Sequence, residues 1–407
     1  MKPVQAILTT SAALALAALT ISCARQSPTA PRDAGASSQA SSSLGARAPR
    51  AAAAGTIEGD IGPGAHYFIY VPEGWNGDLV LYAHGYTAPI LPVGVPPNEQ
   101  VLVDGLHAIA FQGGFAFAYS SYSQTGLGVK DAAQRTDQLG NLFTSLVAKP
   151  RRTFLIGTSF GALAAVKLVE AHPERYAGLL ALCGMIGGAQ PEIDYISHVR
   201  ALFDYFYPNV LPGNVLTLPA GFNPLTDIQG PVVAAIAAHP EGAGAMSQIA
   251  QTPIPFSDAN ELVGSIVQAL ILQALELQDL LERTHGQSFF DNSGTVYTGN
   301  LPPELLADLN AHVARYTEGP AAARLLAQYY APSGDLHVPT ISLYTSLDPV
   351  VPTLHEDLYR SLVESRGLGA NWHEVRTERY GHLNLLPEEI VTAFGAMIGA
   401  AQAAPAP

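Results

Sequence analysis

Cysteine is nearly absent from this chain: Cys23 and Cys183 are the two among 407 residues. Two thiols cannot build a disulfide framework, so the fold must be held by a packed core. Charge is scarce as well, at 13% of residues, against roughly a quarter in average soluble proteins. Basic residues are the scarcer sign, 20 against 34 acidic, for a formal net charge of −14. Lysine occurs only as Lys2, Lys130, Lys149 and Lys167, and Arg151-Arg152 is the one adjacent basic pair beyond the first segment. Without a basic patch an acidic chain repels phosphates, which excludes nucleic acid as a partner. What is abundant is apolar, 48% of the residues, and that excludes a disordered chain.

The N-terminal segment reads as an export signal over residues 1–23. Lys2 supplies the positive start, residues 6–21 the apolar run, and Ser22-Cys23-Ala24 the small residues that end it. The run is too short to favour a permanent membrane span. Two processing outcomes stay open: cleavage before Cys23, leaving a cysteine for lipid attachment and a membrane tether, or cleavage after Ala24. Either implies an exported protein, secreted or periplasmic, or lipid-anchored at the bacterial surface. Residues 24–55 are rich in serine, alanine and proline without periodicity and read as a flexible linker. If Cys23 is lipidated or removed, Cys183 has no partner. Its apolar context, Gly178-Leu179-Leu180-Ala181-Leu182, reads as that of a buried structural thiol.

From Thr56 onward, short apolar strands alternate with helical stretches, the signature of a mostly parallel sheet. Strands are expected at residues 67–71, 79–83, 115–119, 153–156 and 177–182, with helices at 130–147 and 162–171. The alternation then stops. Helical spacing runs through residues 195–206, 231–238, 259–283, 303–316 and 321–330, with a short hairpin expected at 291–299. The longest of these helices keeps Gln268, Gln273, Glu276 and Gln278, a polarity that points to packing within a helical cap rather than to a membrane span. Strands resume at 340–344 and 372–375, and a helix at 387–398 closes the chain. The expected division is a first core part at 56–185, a helical cap at 186–335 and a second core part at 336–407.

The chemistry concentrates at three places. Gly157-Thr158-Ser159-Phe160-Gly161 lies between an apolar strand and an alanine-rich helix, the context of a nucleophile elbow. The serine sits on a strained turn, and the flanking glycines let strand and helix approach. The helix N-terminus behind it favours developing negative charge. A serine needs a base, and His382 in Arg379-Tyr380-Gly381-His382-Leu383-Asn384 lies on a loop after the last strand. His373, inside the preceding strand pattern, reads as structural. The base needs a carboxylate to orient it, and Asp348 follows the strand ending at Tyr344, in Asp348-Pro349-Val350-Val351-Pro352. An oxyanion hole needs backbone donors: the amide of Phe160, and one from the His84-Gly85-Tyr86 turn, Tyr86 first and Gly85 second. His84 reads as a ring supporting that turn.

The strand–His-Gly turn, the Gly-x-Ser-x-Gly elbow, the Asp-Pro-x-Val-Pro loop and the final Gly-His occur in the order Ser, Asp, His. Over about residues 65–183 and 337–402 this resembles the α/β-hydrolase superfamily. Within it, the chain looks like secreted bacterial serine hydrolases that are prolyl-oligopeptidase-like or tannase/feruloyl-esterase-like. The resemblance implies an α/β fold with an eight-stranded, mostly parallel sheet flanked by helices, and a large helical cap inserted after the sixth strand.

The expected activity is cleavage of a carboxylic ester through Ser159, His382 and Asp348 and an acyl-enzyme. A serine peptidase acting on short peptides is the alternative, with Glu192, Asp194 or Glu261 to hold an amino terminus; acyl transfer also stays open. The partner in either case is a small ester or short peptide. No zinc-type His/Cys spacing, His-Glu-x-x-His or strand-borne Gly-x-Gly-x-x-Gly occurs, so neither metal nor cofactor is expected. Oligomeric state has no sequence signal.

Overall fold

The computed structural model describes residues 54–403. The export segment with Cys23, and nearly all of the linker, lie outside the described residues. The first core stretch runs β1 (Gly55–Asp60), β2 (His66–Val71), β3 (Asp78–Ala83), α1 (Gln100–Gln112), β4 (Ala116–Ser120), α2 (Val129–Leu146), β5 (Arg152–Thr158), α3 (Phe160–Ala171) and β6 (Gly178–Leu182). Seven helices follow: α4 (Ala189–Phe206), α5 (Pro224–Asp227), α6 (Gln229–Ala238), α7 (Pro240–Met246), α8 (Ala259–Arg283), α9 (Pro303–His312) and α10 (Pro320–Tyr329). The chain then returns through β7 (Thr340–Leu347), α11 (Leu354–Ser365), β8 (Trp372–Tyr380) and α12 (Pro387–Ala403).

The strands form one eight-stranded sheet in the order β1-β2-β4-β3-β5-β6-β7-β8. β2 pairs antiparallel with β1 and β4, and every pairing from β4 through β8 is parallel. The central strands are apolar on both sides because both faces are covered. Val80, Tyr82, Ile156, Leu180 and Leu343 pack under α1 and α12. Leu79, Leu81, Leu155, Leu179 and Ala181 pack under α2, α3 and α11. The adjacent basic pair is structural: Arg151 and Arg152 both hold Asp78, buried at the start of β3.

Several sequence expectations need correction. β1 starts at Gly55, inside the stretch read as linker; an edge strand with polar outward residues such as Glu58 and Asp60 carries no apolar run. α1 is an additional helix, with Val103, Leu106 and Ala110 at three and four spacing. β8 continues to Tyr380 through exposed polar residues, again because it is an edge. The hairpin expected at 291–299 is absent. Gly299 makes an isolated bridge to Ile249, and Asn292 ties the loop to Tyr316 and Ala314 through its side chain.

Six of the seven helices between β6 and β7, all but the short α5, share one apolar cluster with the core. Ile193, Ile196 and Leu270 belong to it together with Val129, Phe160 and Leu163 of α2 and α3. The insertion is thereby packed against the N-terminal end of α3, where the candidate nucleophile lies. Among the described residues no helix is long and apolar enough to cross a membrane.

Candidate active site

β5 ends at Thr158 and α3 begins at Phe160, so Ser159 is the whole connection. It sits at φ 51° and ψ −123°, a left-handed backbone that costs a non-glycine residue energy. Close packing makes the turn possible. A Cβ on Gly161 would lie 2.2 Å from the Ala83 carbonyl oxygen, and one on Gly157 would lie 2.6 Å from Ala162 Cα. The Ser159 amide donates to the Leu182 carbonyl, fixing the elbow against β6. Strained positive φ values recur nearby at Tyr122, Cys183 and Leu383.

Asp348 follows β7 and is buried. One carboxylate oxygen accepts the amides of Val350 and Val351, each at 2.9 Å, and the other accepts Nδ1–H of His382 at 2.7 Å. Because a carboxylate only accepts, the proton is on Nδ1 and Nε2 is left with a free lone pair. The histidine loop is tied to β7 by the Gly381 amide on Leu347 and by the Thr345 hydroxyl on the Gly381 carbonyl. Burial pulls the imidazole pKa down. The charge and hydrogen bond of Asp348 outweigh that and raise it above the ordinary histidine value. Among the described residues the Ser159 hydroxyl has no hydrogen-bond partner, so the Ser159–His382 bond is not made here. Ser159 is 7% exposed, beneath the insertion.

The turn after β3 carries the candidate oxyanion donors, and here one expectation is corrected. The Gly85 amide donates to Glu99 Oε2 at 2.9 Å and is occupied. Among the described residues the amides of Tyr86 and Phe160 have no protein acceptor. His84 is buried and stacked on Tyr122 with ring centroids 3.9 Å apart, and burial lowers its pKa to about 4. It is a neutral ring within the turn.

Local sequence reading missed Glu99. Its Oε2 also accepts the hydroxyls of Tyr82 at 2.7 Å and Thr158 at 2.9 Å, joining the oxyanion turn to the residue before the nucleophile. Its partners are 14, 17 and 59 residues away in the chain, a separation that no local motif reveals. The same holds for Tyr195, buried within electrostatic range of Glu192 and Asp348. Of the three acidic residues considered for an amino terminus, Glu192 is within electrostatic range of His382. Asp194 bonds Gln190, and Glu261 bonds Ser257 at the start of α8. Cys183 Sγ, Asp348 and His382 offer atoms within 4.8 Å of one another. Burial, then the charge of Asp348, pushes the thiol up, so it stays protonated, and the other two are bonded to each other. These are not the free deprotonated donors that a metal takes.

Nucleophile elbow, aspartate and histidine stand after β5, β7 and β8, in chain order along one direction of a sheet ordered 1-2-4-3-5-6-7-8, with β6 between the first two. The chain has the α/β-hydrolase fold. The α/β-hydrolase sheet is complete here, with its helical insertion between β6 and β7. The sequence matches no family model and no curated protein. Solved structures overlap it loosely. Est1E from Butyrivibrio proteoclasticus is 12% identical over 86% of this chain and 100% of its own, with a TM-score of 0.42. The mouse alpha/beta hydrolase domain-containing protein 10 is 11% identical over 85% and 99%, at 0.41. A monoacylglycerol lipase of Paleococcus ferrophilus is 11% identical over 83% and 98%, at 0.39.

Proposed function

We propose that this α/β-hydrolase is a serine hydrolase that cleaves a carboxylic ester through an acyl-enzyme. The observation that carries the reading is the His382–Asp348 bond of 2.7 Å at a loop beside a strained Ser159 elbow. Ser159 Oγ attacks the acyl carbon as His382 Nε2 takes its proton. Asp348 holds the ring in the Nδ1–H tautomer and stabilises the imidazolium. The amides of Tyr86 and Phe160 receive the oxyanion, aided by the N-terminus of α3. His382 returns the proton to the departing alkoxide. Water, deprotonated by the same nitrogen, then attacks the acyl carbon; the acyl–Ser159 bond breaks, Ser159 Oγ takes that proton back from His382, and the acid is released. The leader pattern at residues 1–23 supports an exported enzyme, tethered through Cys23 if that residue is lipidated.

The test is Ser159→Ala assayed on nitrophenyl esters, with fluorophosphonate labelling of the wild type. The variant should lose at least about a thousandfold in kcat/KM, and the label should sit on Ser159. Ester cleavage at the wild-type rate by the variant overturns the mechanism.

A further inference from the structure

The longest helix of the insertion, α8, is pinned to the core at both ends. Near its start it meets Tyr380, the last residue of β8. The Tyr380 hydroxyl donates to the Glu261 carbonyl at 3.3 Å, accepts Gln268 Nε2–H at 3.3 Å and lies 3.2 Å from Ser265 Oγ. A Cβ on Gly264 would sit 3.0 Å from that hydroxyl, so helix and strand end are in close contact. Near its finish, Asp279 accepts the Leu127 amide at 2.8 Å and Arg283 donates to the Thr125 carbonyl at 2.9 Å, both on the loop after β4. In the sheet β4 and β8 are five strand spacings apart, about 24 Å. From Ser265 to Asp279 the helix spans about 21 Å. The lengths agree, so α8 crosses the carboxyl ends of the strands in between, which carry the oxyanion turn, Ser159 and Asp348.

The pins also fix which face of α8 looks down. At about 100° per residue, Ser265, Gln268, Asp279 and Arg283 form one stripe, and Leu272 falls at its centre. Leu275 and Glu276 lie about 50° to either side. Gln273 turns away and donates to the Val215 carbonyl within the insertion, and Ile266, Leu270 and Leu277 on that far side are buried. Leu272 differs from them. It packs partly on the cluster that includes Phe160, beside Ser159, and Val351, in the Asp348 loop, yet it stays partly exposed. An apolar side chain turned toward the catalytic loops, and fully covered neither by them nor by the insertion, leaves apolar surface over the mouth. Covering that surface with another apolar group releases its water and is favourable. A polar chain in the same place loses its water without gaining a partner from Leu272.

We propose that Leu272 is a specificity-determining residue: at the middle of α8 it contacts an alkyl chain of the ester, and its size sets the chain length that fits above Ser159. This deepens the ester-hydrolase reading and rests on it.

The experiment measures kcat/KM of the full chain on two series that cover the acyl and the alcohol sides. The first is nitrophenyl acetate, butanoate, hexanoate, octanoate and decanoate; the second is ethyl, butyl, hexyl and octyl butanoate. The proteins are wild type, Leu272→Ala, Leu272→Phe and Val267→Ala, with the melting temperature of each. In the wild type one series should gain about three- to fourfold per added methylene up to an optimum. Leu272→Ala should move that optimum to chains about two carbons longer or more, and Leu272→Phe should move it to shorter ones. Val267→Ala trims the face of α8 turned into the insertion, so it should lower melting and leave the optimum in place. An optimum unmoved in both Leu272 variants overturns the proposal, whatever happens to melting. The same shift in Val267→Ala also overturns it, because loosening of α8 would then be enough. A wild type with no preference for longer chains in either series overturns it too, while fluorophosphonate labelling of Ser159 keeps the hydrolase reading. Absent turnover and absent labelling overturn both.

Discussion

Glu99 holds Gly85. Its Oε2 accepts the Gly85 amide at 2.9 Å, and a Cβ on Gly85 would lie 1.9 Å from its Oε1, so only glycine fits over this carboxyl. Through Thr158 the same oxygen reaches the strand that delivers Ser159. The donor turn and the nucleophile therefore share one buried anchor, supplied by the last residue of the segment between β3 and α1. Burial raises the Glu99 pKa, while its three donors and the charge of His382 oppose the rise.

Glu99 is on this account a positioning residue, and its variants should separate cradle from charge. Glu99→Gln keeps a carbonyl oxygen that accepts from Tyr82, Gly85 and Thr158. Glu99→Ala leaves those donors unmet and frees the turn. The alanine variant should lose on the order of 10–100-fold in kcat and about 2–4 kcal/mol of stability. The glutamine variant should recover most of both. Ester assays and urea denaturation of the two variants check this, and equal losses in both would contradict it.

His382 works as a base only when neutral, and its pKa is raised, chiefly by Asp348 acting against burial. The acid limb of kcat/KM should therefore rise with pH through a value above the ordinary ~6.5 of histidine. Asp348→Asn removes the charge and the acceptor that fixes the tautomer. Its limb should move to lower pH, and kcat should fall by roughly 10³–10⁴. A pH–rate profile of the two proteins decides it; an unmoved limb rejects Asp348 as the orienting carboxylate.

The elbow glycines admit no side chain. Gly161→Ala would place a Cβ 2.2 Å from the Ala83 oxygen and 2.3 Å from the His84 oxygen, both backbone atoms of β3 and its turn. Neither can move without breaking the parallel pairing of β3 with β5. The variant should be destabilised by more than about 3 kcal/mol or fail to fold, seen as a lowered melting temperature or loss of soluble protein. Gly395→Ala on α12, where a Cβ meets nothing within 4 Å, is the matched control and should be neutral.

What could be read from the sequence follows from how local the signal is. Ser159, Asp348 and His382 each sit in a short motif at a strand end, and the central strands are apolar on both faces, so both are visible in a few residues. β1 and the second half of β8 are edges whose outward residues are polar, and apolar runs miss them. Val103, Leu106 and Ala110 gave α1 a readable stripe, but its glycine and histidine obscured it. The 291–299 loop looks like a hairpin by composition, yet its order comes from Asn292 reaching Tyr316 and Ala314. Glu99 owes its role to tertiary neighbours 14 to 59 residues away in the chain.

Stability should peak on the acid side of neutrality, because two sets of buried groups oppose each other. His84, His198 and His355 are held down to about 4 by burial. Unfolded histidine titrates near ~6.5, so between these values the unfolded chain binds more protons and stability falls as pH drops. Glu192, Glu276 and Glu356 are pushed well above the carboxylate range, again by burial. Unfolded glutamate titrates near ~4.3, so above that the folded chain binds more protons and stability falls as pH rises through their folded values. From about pH 4.3 to 6.5 the two sets offset. Above it the acids act together with His382, whose raised pKa works in the same direction, each with a slope of up to about 1.4 kcal/mol per pH unit. The urea midpoint should therefore decline from about pH 6 to 8.5. Glu356→Gln keeps an oxygen for the Ser342 hydroxyl, which now bonds Oε1 at 2.8 Å, and removes one titrating acid, so it should flatten that decline. A midpoint that rises between pH 6.5 and 8.5, or an equally steep decline in the variant, would show that these glutamates are ionised in the folded protein.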